Sequence, residues 1–154
     1  MPSRLELLIP PPIVGLLCAC LMWVLSSSTL ELALTFQGQK TLALVIAGVG
    51  LSMDVVSVFA FLKARTTITP LKPEKAQALV TSGFYRFTRN PMYLGMLLML
   101  VGYTFWTGHP LAAIGPVLFV TYITYFQIKP EEVRLGALFG QDYHTYCAQV
   151  RRWI

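Results

Sequence analysis

The chain has 154 residues, 55% of them apolar and only 12% charged, with a formal net charge of +5. A soluble domain carries roughly 25% charged residues, so half the expected charge is missing, and the apolar residues gather in long blocks. That excludes an ordinary soluble enzyme, a disordered chain and a disulfide-stapled secreted domain, and leaves a small polytopic membrane protein.

A membrane helix needs about 20 predominantly apolar residues. The first such block covers 8–25 and opens with Pro10, Pro11 and Pro12, where proline does least damage to a helix. Glu6 in the n-region and the Ser26-Ser27-Ser28 run do not fit a cleaved signal peptide, so the block reads as a retained span. The second block, 41–62, carries Asp54 near its middle. Intramembrane acids are rare and usually functional; a bond to a serine, a tyrosine or backbone within the bundle is the plainer alternative. Residues 63–91 form a long polar loop. The third block, 92–107, and the fourth, 111–128, are joined by Gly108-His109-Pro110 and read as a helical hairpin. A helical tail, 129–154, follows. The expected fold is all-α: a single membrane domain with four transmembrane helices.

Charge sets the orientation, because basic residues accumulate in short cytoplasmic segments. Four spans put the N-terminus, the 63–91 loop and the tail on one side. Arg4, Lys63, Arg65, Lys72, Lys75, Arg86, Arg89, Lys129, Arg134, Arg151 and Arg152 fall there, and of the twelve basic residues only Lys40 falls opposite. That side is expected to be cytoplasmic, the protein being multi-pass with both termini inside. The positive charge then needs no nucleic acid to explain it, attraction to anionic membrane lipids being secondary. Cys18, Cys20 and Cys147 lack C-x-x-C spacing, and His109 and His144 fall on opposite sides, so no metal centre is expected.

Polar information concentrates in two stretches, 66–95 and 129–154. Gly83 permits a sharp reversal before Phe84 and Tyr85, and Pro91 suits the first turn of the third helix. Gly95 lets another backbone or a ligand come close. On composition alone Tyr85, Arg86, Arg89 and Tyr93 read as an interfacial anchor. In the tail, Glu131 and Glu132 follow Pro130 in a first helical turn, where carboxylates commonly match the helix dipole. Leu135, Leu138, Phe139, Tyr143, Tyr146, Val150 and Trp153 make an apolar stripe. Gly140 is expected to end one short helix, with Asp142 capping the next.

These stretches resemble the integral-membrane methyltransferases of the isoprenylcysteine carboxyl methyltransferase and phospholipid methyltransferase group. The chain reads Arg89-Asn90-Pro91-Met92-Tyr93-Leu94-Gly95 for R-H-P-x-Y-x-G. After the hairpin it reads Glu131-Glu132, Leu135, Phe139-Gly140, Tyr143 and Tyr146 at the spacings of the second element. Leu79 to Tyr85 looks like the family's lead-in, L-V-x-x-G-x-Y. Asn90 stands where many members have histidine; it offers a donor and an acceptor but does not titrate.

The resemblance implies S-adenosylmethionine as methyl donor and a lipophilic or lipid-modified, membrane-borne acceptor. It implies donor contacts at Gln77, Ala78, Leu79, Val80, Tyr85, Asn90, Pro91, Met92, Tyr93 and Glu131. Arg89 and Glu132 become the candidate catalytic residues, Glu132 as the proton acceptor for an amine substrate. Tyr85 and Tyr93 are expected to face the sulfonium cation with their rings. Isoprenylcysteine enzymes would have an arginine four residues before Glu131; here Gln127 stands there, which disfavours a prenylcysteine carboxylate as acceptor. Two other readings remain open: a membrane-embedded NADPH-dependent reductase, which would use the basic 63–91 loop, and a non-enzymatic interaction or transport subunit.

Overall fold

A computed structural model describes residues 6–28, 33–64 and 78–154. Arg4, Arg65, Lys72, Lys75 and Gln77 lie outside the described residues. Six α-helices are present among them: α1 (Pro11–Ser28), α2 (Gln39–Lys63), α3 (Pro91–Thr107), α4 (Ile114–Ile123), α5 (Lys129–Phe139) and α6 (Gln141–Gln149). Tight 3-10 turns at Gly83–Arg86 and Pro110–Ala113 and a π-turn at Thr124–Ile128 link them. By length and composition α1, α2 and the rod Pro110–Phe139 can each cross a membrane, and α3 is a shorter apolar helix of 17 residues. The all-α polytopic expectation holds. Trp23, Phe59 and Val117 point outward, as side chains do when acyl chains are the solvent.

Small residues set the closest helix contact. α2 and α3 run antiparallel, with Ala43 and Ala47 against Gly102, and Gly50 against Gly95. A Cβ on Gly95 would collide with the Gly50 carbonyl and with the Asp54 carboxylate. Without hydrophobic drive between helices in lipid, such backbone approach is what gains packing energy. Behind this pair, α1 inserts Val14, Cys18 and Met22 against Tyr93, Leu100, Phe119 and Ile123 in the core.

The helix of the fourth span runs on into the tail, through Pro130. Proline has no N–H to give the Phe126 carbonyl four residues back. That carbonyl accepts the Leu7 N–H at 2.9 Å instead, and the Lys129 N–H reaches the Thr124 carbonyl five residues back. The resulting π-turn keeps the rod intact and buries Gln127 and Ile128. Glu131 and Glu132 therefore sit inside a continuous helix. The dipole reading of their placement is corrected, because no free helix end precedes them.

Gly140, at φ 52°, joins α5 to α6. Asp142 lies within the first turn of α6 and makes no cap, which corrects that expectation; Gly140 holds the cap position. The stripe divides. Tyr143, Tyr146 and Val150 pack with Leu79, Leu135 and Phe139, Trp153 joins the main core, and Leu138 stays exposed.

Candidate active site

The start of α3, the start of α5 and the C-terminal residues 150–154 meet at one end of the bundle, where Thr88 and Arg151 form an isolated β-bridge. Gly83 takes φ 63° and turns the chain into the 3-10 segment that carries Tyr85. Pro91 is the first residue of α3, and Tyr93 follows within that first turn with its side chain buried. Tyr85 and Tyr93 are each only 7% exposed, so the interfacial-anchor reading fails for both. Arg86 alone of that group is exposed.

The paired glutamates face different surroundings. Glu131 Oε1 accepts two hydrogen bonds at 2.6 Å, one from the Tyr93 hydroxyl and one from the Gln127 amide. Glu132 is held between two guanidinium groups: Arg89 Nη2 lies 3.0 Å from Oε1, while Arg152 donates through Nε at 2.9 Å and Nη2 at 2.7 Å. Both Glu132 oxygens are thus already engaged by charged donors, which leaves little room for the proton of a substrate; geometry comes first in choosing a general base. The same hydrogen bonding raises the Arg152 guanidinium above its ordinary pKa.

The C-terminal residues complete this end. The Arg152 carbonyl accepts from the Asn90 side chain at 2.9 Å and from the Thr88 hydroxyl at 3.2 Å. The Arg89 N–H bonds the Arg151 carbonyl at 2.9 Å, and the Trp153 indole donates to Thr124 in the π-turn at 3.1 Å. Asn90 therefore works as a donor to backbone, a role for which it needs no titration. The Tyr146 hydroxyl donates to the Tyr85 carbonyl at 2.7 Å, in a buried setting. Burial pushes the phenols of Tyr85, Tyr143 and Tyr146 above their usual pKa.

A cavity of about 740 Å³ opens beside this cluster, lined among others by Arg89, Glu132, Tyr143 and Arg152. Arg89 Nε is buried without a hydrogen-bond partner. Of the residues expected at the site, Arg89 and Glu132 line the cavity, while Tyr85, Tyr93 and Glu131 cluster on the bundle side. Val80 is buried, Leu79 packs under Tyr143 and Tyr146, and Ala78 and Met92 are half-buried. Sequence reasoning missed Arg152, Thr88 and Trp153 as parts of the site. The only signal was a terminal pair of arginines beside a tryptophan, in a chain so poor in charge. Among the described residues, no group of histidines, cysteines and carboxylates has the makings of a metal site.

Comparison with known proteins supplies the family. The chain is 44% identical over 63 residues to an uncharacterised protein of Haemophilus influenzae, covering 41% of this chain and all of that protein. It is 28% identical over 107 residues to a probable protein-S-isoprenylcysteine O-methyltransferase of Oryza sativa subsp. japonica (70% of this chain, 56% of that protein). It is 32% identical over 85 residues to protein-S-isoprenylcysteine O-methyltransferase A of Arabidopsis thaliana (55% of this chain, 43% of that protein). The chain thus spans about half the length of these plant relatives. No solved structure matches it significantly. The phospholipid methyltransferase family model matches residues 38–142, from the start of α2 into α6, and the chain belongs to that family of membrane methyltransferases.

Proposed function

We propose that this chain transfers a methyl group from S-adenosylmethionine to a lipophilic acceptor held in the membrane, at the end of the bundle where α3 and α5 meet. The observation that carries the reading is the joining of its two motifs: Tyr93 to Glu131 at 2.6 Å and Arg89 to Glu132 at 3.0 Å. The donor supplies an already activated methyl on a sulfonium. What remains for the protein is to bind, align and exclude water.

The residues present fit such a donor. Glu131 is a carboxylate for its amino or hydroxyl groups. The unpartnered Arg89 Nε, beside a cavity, suits its carboxylate. Tyr85 and Tyr93 offer aromatic walls to a cation, with Val80, Pro91 and Met92 closing the apolar side. Arg89 and Glu132 hold each other and, through Arg152, fix the C-terminal segment against Thr88 and Asn90. Glu132 is here a positioning residue rather than the proton acceptor first considered.

Topology follows from charge. Lys63, Arg86, Arg89, Lys129, Arg134, Arg151 and Arg152 gather at this end, with Lys129 over the Tyr125 ring at 3.9 Å. Lys40 lies at the other end, over Trp106 at 5.4 Å. The basic end is assigned to the cytoplasm, which places both termini there. A water-soluble donor then enters from the cytoplasm and the acceptor from the bilayer.

Calorimetric titration of S-adenosylmethionine into the solubilised protein tests the reading. The wild type is expected to bind, and Glu131→Ala to raise Kd by about tenfold or more, the scale of a lost hydrogen bond to a charged group. Unchanged affinity in the variant overturns the role of Glu131; no binding by the wild type overturns the donor.

A further inference from the structure

Two polar atoms on α2 are buried without a hydrogen-bond partner, Asp54 Oδ1 and Ser57 Oγ. Ser57 is only 1% exposed. Ser26, Ser28, Ser52, Thr104 and Thr121 behave differently: each donates its hydroxyl to a carbonyl three or four residues back. That local bond is the ordinary refuge for a hydroxyl in a helix, and Ser57 does not take it. A buried polar group left unsatisfied calls for a reason, and an acid inside a membrane span is a functional hypothesis by default.

The surroundings supply a direction. Asp54, Ser57 and Phe61 follow at spacings of three and four and share one face of α2. Asp54 abuts Gly95, and Phe61 meets the Tyr85 ring edge-on, with centroids 5.4 Å apart. This face therefore looks onto the segment that carries Tyr85 and Tyr93. The Tyr85 phenol is raised first by burial, and then by Tyr146, Glu131 and Asp54. Both carboxylates are thus in electrostatic reach of one hydroxyl. Val55, Val56 and Phe59, on the adjoining faces of α2, are exposed and apolar, so a hydrocarbon tail has surface to lie on beside the unpartnered pair.

We propose that Asp54 and Ser57 form the subsite for the polar head of the methyl acceptor, Asp54 receiving that head as an ammonium and taking its proton. The proposal rests on the methyl-transfer reading above and adds a residue pair outside both motifs. An ammonium head satisfies the Asp54 carboxylate and donates to the Ser57 hydroxyl oxygen. An anionic head would meet Asp54 and Glu131 with like charge. For reaction, the ammonium gives one proton to Asp54, which frees the nitrogen lone pair. That pair bonds the methyl carbon as the carbon–sulfur bond breaks and its electrons stay on sulfur. The product is an N-methylammonium and a neutral thioether, and Asp54 returns its proton to water.

The test uses solubilised full-length protein, Asp54→Asn, Ser57→Ala, and vesicles containing phosphatidylethanolamine or a prenylated cysteine carboxylate as acceptor. The wild type is expected to methylate the amine and not the carboxylate. Asp54→Asn should lose about 100-fold or more in kcat/KM for the amine, the scale of a lost acid–base group. Ser57→Ala should lose about tenfold, one hydrogen bond, with the melting temperature unchanged. Affinity for S-adenosylmethionine should hold in both. Full turnover by both variants, donor affinity lost in step with turnover, or preference for the carboxylate acceptor overturns the proposal. Should one variant fail to fold, the turnover of the other still decides. Wild-type protein that binds no S-adenosylmethionine would instead defeat the methyl-transfer reading itself.

Discussion

Glu131 and Glu132 are neighbours in sequence, yet the regions around them are built on opposite plans. Around Glu131 the partners are neutral: a tyrosine hydroxyl and a glutamine amide, both buried, donate to one oxygen. Around Glu132 the partners are charged, and their side-chain exposures are graded, 14% for Arg89 and 35% for Arg152. Neutral donors leave a carboxylate with charge to offer a ligand. Paired guanidinium groups consume that charge in holding the loop, the rod and the C-terminal segment together. On the proposed reading the first region binds and the second positions.

The largest expected effect breaks the binding side. Glu131→Gln keeps the shape but removes the charge, and the methyl-transfer rate should fall by about 100-fold or more, the scale seen when one preorganised electrostatic group is lost. The melting temperature should move little. Glu132→Ala should do the reverse in its main effect. It leaves Arg89 and Arg152 facing each other half-buried, and stability should drop by about 3 kcal/mol, the lower end for breaking a buried ion pair because Arg152 is partly solvated. Denaturant unfolding in detergent checks the second and an initial-rate assay the first. Equal losses of stability in the two variants would erase the distinction.

The same contrast explains what could be read from residues alone. The spans were legible because acyl chains impose length and apolarity on any crossing helix. That R-N-P-M-Y-L-G and the glutamate pair serve one site was legible through the resemblance to a family that carries both motifs in this order; the bonds that join them were not. The division of labour within the pair was not. It depends on Arg152, Thr88 and Asn90, which meet across more than 60 residues through a backbone carbonyl. No side-chain pattern encodes such a contact. Asp54 was visible as an anomaly and Gly95 as a point of close approach, but their meeting was not, because a helix apolar on nearly every face gives no periodicity to show which side turns inward. The continuity of the rod through Pro130 was hidden for a similar reason, since Leu7 takes over the orphaned carbonyl from far away in sequence.

Gly95→Ala sharpens the comparison at the next scale. Its Cβ would press on the Gly50 carbonyl and Asp54, and overpacking of this kind costs about 2 kcal/mol. The strain falls between α2 and α3, on the Glu131 side. Turnover should therefore fall with stability, whereas the Arg89–Glu132–Arg152 cluster should be untouched. Ile154→Cys, labelled in the otherwise wild-type chain and in the variant, reports on the C-terminal segment: equal labelling rates are expected. Faster labelling in the variant would show that the two regions move as one.

The smallest effect belongs to the rim. Tyr146→Phe deletes the hydrogen bond to the Tyr85 carbonyl and should cost about 1 kcal/mol at neutral pH. Its sharper signature is alkaline. Burial raises Tyr146 above the ordinary value of 10.0, as it does Tyr85 and Tyr143. Below pH 10 both folded and unfolded phenols are protonated, and this contribution to stability is complete. Above it the unfolded chain ionises first, so the contribution is lost as pH rises from 10 toward the folded values, at about 1.4 kcal/mol per pH unit for each phenol. Removing Tyr146 should make the alkaline fall in stability shallower by one such slope. An identical slope in wild type and variant would mean that the Tyr146 phenol is as wet in the folded protein as in the unfolded one, and that the seam between α6 and the Tyr85 turn is open.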